Sequence, residues 1–153
     1  MFKGGYAGQL LYVDLTKGKI EKKPLPWDLV EKYIGGAGLA SKILYDMIPK
    51  GIDPLSEKNV LMFSVGPFTG TMFPQASRFV VAAKNPLTGG WGEAHAAGFW
   101  GPELKLAGYD GIIITGKSKK PAYLFIEDDV VKICDAKNLW GKKTFEAMDE
   151  VKK

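Results

Sequence analysis

Hydrophobic positions fall in short blocks punctuated by glycine, proline and lysine-rich turns, the pattern of several brief strands with a few helices between them. Residues 8–15 (GQLLYVDL) read as a strand, and Thr16-Lys17-Gly18-Lys19 supplies turn chemistry into a second strand over 20–23, closed by Pro24 and Pro26. A short helix is expected over 28–33, stopped at Gly35-Gly36. A longer one runs from Ala37 to Met47, with Leu39, Ile43, Leu44 and Met47 at helical spacing before Pro49 and Gly51. Residues 59–64 (NVLMFS) form a buried strand, and an irregular loop extends from Gly66 through Ala76. Strands over 78–84 (RFVVAAK) and 91–95 pair as a hairpin around Asn85-Pro86-Leu87-Thr88. A helix over 98–107 tolerates Pro102 in its first turn and stops at Gly108. Residues 111–115 make a central strand, while 122–127 and 130–135 make two more around a tight turn at Asp128-Asp129. Thr144 caps a final helix that runs to Lys153. The expected fold is one α+β domain with mixed and antiparallel β-sheets and a few helices, undivided by any long linker.

One hairpin carries candidate chemistry. A four-residue loop between Lys84 and Gly89 places Arg78 opposite His95, about 5 Å apart on one sheet face. Ala96-Ala97-Gly98 and the start of a helix follow at once, where small side chains bare the backbone and the helix dipole favours an anion. Arginine adds a planar fork for phosphate or carboxylate. A lone histidine at a strand end and a lone arginine at a sheet edge are also ordinary solvated groups, so spacing by itself leaves both readings open. Gly35-Gly36-Ala37-Gly38 before a helix lacks the full dinucleotide-loop pattern. No Ser-His-Asp set, paired catalytic carboxylates or HExxH motif is visible.

Composition sharpens this picture at three points. The 153 residues are 46% hydrophobic and 25% charged, ordinary for a globular domain with a real core. Glycine is high at 19 residues, and these cluster in apolar segments, which suggests close approach of backbone to backbone or ligand. The net charge of +4 comes from lysines at turns and a single arginine, Arg78. That balance disfavours a nucleic-acid module, which relies on arginine for bidentate contacts. No apolar run is long enough for a membrane helix. Met1-Phe2-Lys3-Gly4-Gly5-Tyr6 shows no signal peptide. One cysteine, Cys134, with one histidine excludes a disulfide or a four-ligand zinc or iron–sulfur site built from this chain alone. A buried, inert thiol and a reducing, cytoplasmic setting are expected.

Seven strings resemble the N-terminal domain of the aldehyde:ferredoxin oxidoreductases, tungsten enzymes with a bis-pterin cofactor. They are Tyr12-Val13-Asp14-Leu15-Thr16, Ile34-Gly35-Gly36-Ala37-Gly38-Leu39-Ala40, Asp53-Pro54-Leu55-Ser56 and Gly66-Pro67-Phe68-Thr69-Gly70-Thr71. Lys84-Asn85-Pro86-Leu87-Thr88-Gly89, Glu103-Leu104-Lys105-Leu106-Ala107-Gly108-Tyr109-Asp110 and Leu139-Trp140-Gly141-Lys142 complete the set, in order along essentially the whole chain.

The resemblance implies one half of a pseudo-twofold β platform on which two metal-chelating pterins lie. Residues 1–153 would then be a tungstopterin-binding N-terminal domain, incomplete at its C-terminal side. It implies a tungsten or molybdenum bis-pterin with Mg²⁺, bound through Arg78, His95, Ala97 and Gly98, the Mg²⁺ through the His95 backbone carbonyl. His95 stands where the family often has Asn, and Ala97 where it has a pterin-contacting Gly. The family oxidises aldehydes to carboxylic acids and passes electrons through a [4Fe–4S] cluster to ferredoxin. The cluster ligands and catalytic residues are absent here, so the chain is expected to be inactive alone. Its expected partners are the missing C-terminal domains or a separately encoded remainder, with self-association through exposed edges. The alternative is a non-catalytic binding module or the small subunit of a split tungsten enzyme.

Overall fold

The computed structural model describes residues 4–152. Its frame is a six-stranded mixed sheet in the order β2-β1-β6-β3-β4-β5. These strands are β1 (Gln9–Asp14), β2 (Lys19–Pro24), β3 (Leu61–Val65), β4 (Phe79–Lys84), β5 (Trp91–Ala96) and β6 (Gly111–Thr115). Only β1 and β6 run parallel; the other neighbours are antiparallel. A separate hairpin joins β7 (Ala122–Glu127) to β8 (Val130–Asp135). Four helices complete the described residues: α1 (Trp27–Tyr33), α2 (Gly36–Met47), α3 (Trp100–Leu106) and α4 (Thr144–Val151).

The sheet is covered on both faces, which explains its unbroken apolar runs. Side chains alternate between faces along a strand, so Leu10 and Ile113 enter one core while Leu11 and Ile112 enter the other. α1 and α2 cover the first face: Val30, Leu39, Ala40, Ile43 and Leu44 pack on Leu10, Met62, Ala82 and Ile113. The β7–β8 hairpin and α3 cover the second, where Leu124, Ile126, Val131, Ile133 and Leu104 meet Leu11, Val13, Val65 and Ile112. Lysines line β2, an edge strand, where Lys19 and Lys23 flank Glu21 at 2.5 and 3.6 Å.

Several local expectations change. The third helix begins at Trp100, two residues beyond its expected start. Thr144 is the first helical residue of α4, not its cap; the Lys143 N–H donates to the Glu146 carboxylate at 3.2 Å instead. The expected end at Lys153 lies outside the described residues. Cys134 is half-buried, because a two-stranded sheet has one covered face.

Candidate functional site

Arg78 and His95 line one hollow of about 410 Å³ on the helical face of the sheet. They are not directly opposed. Val80 pairs with His95 and Lys84 with Trp91, so the connection spans residues 85–90 instead of four. Its closure explains the extra length: the Asn85 N–H donates to Gly90 O at 2.8 Å, and the Asn85 carboxamide accepts from Leu87 and Thr88 N–H. A shift of two residues preserves the face, so Arg78 and His95 remain diagonal neighbours on the same side.

The helix start expected to serve this ledge lies on the wrong side. Trp100, at the head of α3, packs on Phe63 and Phe79 with ring centroids 5.2 and 4.4 Å apart. Both phenylalanines face away from Ser64 and Val80 by strand alternation. The hollow is met instead by the start of α2, through Gly36 and Ala37. Close approach requires the neighbouring glycines: a Cβ on Gly35 would sit 3.1 Å from Val65 O, and one on Gly38 would sit 2.6 Å from Tyr33 O. The glycine cluster in the sequence therefore seats the amino end of α2 against the end of β3. No side chain caps this helix, and its first turn contains no acid.

The far wall is the loop after β3, with Pro67, Phe68, Phe73 and Pro74. The Phe68 and Phe73 rings stack at 4.7 Å. Buried Thr69 pins the loop, its hydroxyl donating to Arg78 O at 2.9 Å and accepting from Gly66 N–H at 3.3 Å. Arg78 itself is exposed and has no carboxylate partner among the described residues. His95 is held from its own strand: Glu93 accepts from the Trp91 indole N–H at 3.1 Å and lies 3.3 Å from His95 Nε2. Those two contacts, the indole first, hold the Glu93 carboxyl below its ordinary range. Ala97 and Gly98 do not line the hollow; they belong to an exposed strip over residues 93–100, and Gly98 has φ +110° with open space beside it.

Ser64 was not singled out from the sequence. It is fully buried on β3, lines the same hollow, and its hydroxyl has no hydrogen-bond partner among the described residues. A lone serine inside the apolar run of residues 60–65 was the available signal. Among the described residues no cluster of three or more His, Cys, Asp or Glu side chains is arranged to hold a metal ion. No described helix is long and apolar enough to cross a membrane.

Comparison with known proteins adds an independent finding. The family profile described as aldehyde ferredoxin oxidoreductase, N-terminal domain, matches residues 10–153. A tungsten-containing aldehyde ferredoxin oxidoreductase of Pyrococcus furiosus is 40% identical over 149 residues, covering 97% of this chain and 25% of its own length. An aliphatic sulfonate oxidoreductase, WOR-like subunit, of the same organism is 43% identical over 139 residues, covering 89% of this chain and 22% of its own. A solved structure, the active-site complex BamBC of benzoyl coenzyme A reductase with 1,5 dienoyl-CoA, superposes with a TM-score of 0.96 at 40% identity. It covers 99% of this chain and 23% of that one. The chain thus spans about a quarter of the length of the curated relatives it matches.

Proposed function

Because the chain belongs to the aldehyde ferredoxin oxidoreductase family and carries its N-terminal domain, we propose that it forms the cofactor-binding portion of an enzyme oxidising aldehydes to carboxylic acids. Arg78, His95, Ala97 and Gly98 would hold a bis-pterin with tungsten or molybdenum, with Mg²⁺ at the His95 carbonyl. When bound, that group supplies the redox chemistry, and the protein supplies position and electrostatics. Arg78, without a carboxylate partner among the described residues, offers its guanidinium to anionic substituents. Glu93 orients the His95 ring. The exposed backbone around Ala97 and Gly98 admits a bulky group, and Ser64 contributes an unused hydroxyl at the floor. The observation that carries this reading is one hollow holding both Arg78 and His95, with no carboxylate in its lining.

In the whole protein, electrons would pass through a [4Fe–4S] cluster to ferredoxin in a cytoplasmic setting, with the cluster ligands supplied from outside these residues. The chain alone is expected to be inactive. The exposed apolar residues Phe145, Met148 and Val151 of α4 favour contact with further protein, including a second copy. A second reading, one subunit of a split tungsten enzyme, draws on the relative named as a subunit and the one solved within a complex.

The test is to purify the chain from a tungstate-fed host that makes the pterin and to measure bound metal and pterin fluorescence. Retention that falls in Arg78→Ala supports the first reading. A chain without pterin that still binds the separately produced remainder of a relative supports the second. Aldehyde-dependent dye reduction by the pure chain would contradict its expected inactivity, and light scattering that gives a monomer at all concentrations would contradict self-association.

A further inference from the structure

We propose that the buried pair Lys105–Asp110, together with Tyr6, consists of positioning residues. Acting through residues 5–8, they set the spacing between two walls of the hollow, the start of α2 and the loop after β3. The inference rests on the reading of that hollow as the cofactor site, and it concerns side chains that do not line it.

The pair sits where β1 and β6 begin and β3 ends. Asp110 is 1% exposed; its carboxylate accepts from Ala7 N–H at 3.1 Å and Gly8 N–H at 2.6 Å. Its main-chain oxygen accepts from Val65 N–H at 3.0 Å, directly before the loop. Lys105 reaches in from α3 and donates both to Asp110 and to Gly5 O, the latter at 2.9 Å. Apolar side chains of similar volume would hold a core at least as well, because two buried charges surrender their hydration. What this pair adds is direction, since each of its contacts fixes one backbone group of residues 5–8.

From that segment one contact reaches each wall. Gly5 lies so close to the loop that a Cβ there would overlap Pro67 O, and the Lys105 stem backs Gly70 in the same loop. Tyr6 donates its hydroxyl to Ile34 O at 2.9 Å. Ile34 needs that restraint. It has φ 63° and ψ −72°, and Gly35 N–H closes a tight turn onto Tyr33 O at 2.8 Å. This is the strained form of the γ-turn, in which a β-branched residue is an outlier. Such a conformation persists only where its surroundings over-determine it. The turn leads the chain from α1 into Gly36 and Ala37, which line the hollow. One ion pair thus holds a strained turn on one side and a proline loop on the other.

The experiment reads amide hydrogen exchange by NMR in the ¹⁵N-labelled 153-residue chain without cofactor. Ile34 and Gly35 report the first wall, Thr69 and Gly70 the second, and Ala136, bonded to Pro121 O beside the β7–β8 hairpin, is the reference. Tyr6→Phe removes only the hydroxyl. It should speed exchange at Ile34 and Gly35 about fivefold relative to Ala136, the loss of one ordinary hydrogen bond, and leave Thr69 and Gly70 unchanged. Lys105→Met should speed exchange in both walls relative to Ala136. Adding Asp110→Asn should recover part of the melting temperature but not the protection of the walls. Unchanged exchange at Ile34 and Gly35 in Tyr6→Phe, an equal rise at Ala136, or walls protected again in the double variant would each overturn the proposal. Where the parent retains tungsten and pterin, folded Tyr6→Phe should retain severalfold less, and equal retention would overturn the positioning role. A parent that retains neither defeats the cofactor reading and leaves the exchange result to decide the spacing of the walls.

Discussion

Replacing Ser64 by alanine should make the ligand-free chain more stable. Two buried hydroxyls, Ser64 and Thr69, line the same hollow. Ser64 makes no hydrogen bond, so folding strips its hydroxyl of water without return. Such a group costs about 1–3 kcal/mol. Alanine removes that penalty and loses only the small packing contribution of one oxygen, leaving a net gain of about 1 kcal/mol. For a domain of this size a gain of that order raises Tm by about 2–4 °C. Thr69 is equally inaccessible, at 4% exposure, but its hydroxyl both donates and accepts. Thr69→Val should therefore destabilise by about 1–2 kcal/mol, with the opposite shift in Tm. The assay is a thermal melt followed by circular dichroism at low salt without phosphate. A Ser64→Ala variant less stable than the parent would show that the hydroxyl is already satisfied, and the argument built on it would fail.

Other consequences are equally direct. Lys105, 3% exposed, reaches Asp110 Oδ1 at 2.5 Å and Gly5 O at 2.9 Å, so Lys105→Met should destabilise by about 3 kcal/mol by leaving the buried Asp110 carboxylate without its cation, held only by the Ala7 and Gly8 N–H groups. Chemical denaturation should show Asp110→Asn added to that variant restoring part of the loss. Gly38→Ala should lower Tm, since its Cβ would meet Tyr33 O at 2.6 Å and shift the start of α2; an unchanged melt would contradict that packing. Glu93 has a folded pKa lowered from 4.5, so its contribution is present above about pH 4.5 and is lost as pH falls through the folded value. Glu93→Gln should accordingly flatten the acid limb of the Tm–pH curve, and an identical limb would sink the assignment.

The strands that were legible were those whose pattern is local. β6, β7 and β8 match the expected ranges because an apolar run bounded by Gly111 and Gly116, and a two-residue turn at Asp128-Asp129, define them without reference to the rest of the chain. The β4–β5 register was not legible at the level of one residue against another. Loop length depended on the Asn85 side chain bonding its own turn, so a six-residue closure could not be distinguished from a four-residue one. The face assignment survived that error because strand periodicity is two, and so Arg78 and His95 still share a hollow.

What the pattern could not supply was the partner across the hollow. The sequence places a helix start directly after His95, yet α3 folds to the opposite face, drawn there by Trp100 packing on Phe63 and Phe79. α2 takes the position because the chain passes from β2 through both helices before returning at β3, with β6 later inserted between β1 and β3. That order sets Gly36 and Ala37 over Ser64, a proximity between residues nearly thirty positions apart that no local periodicity encodes. The glycine cluster and the lone serine were each visible as anomalies, one too small for its helix and one too polar for its strand. A single region accounts for both: the glycines let the helix end approach the sheet, and the serine beneath it is fully buried where the two meet.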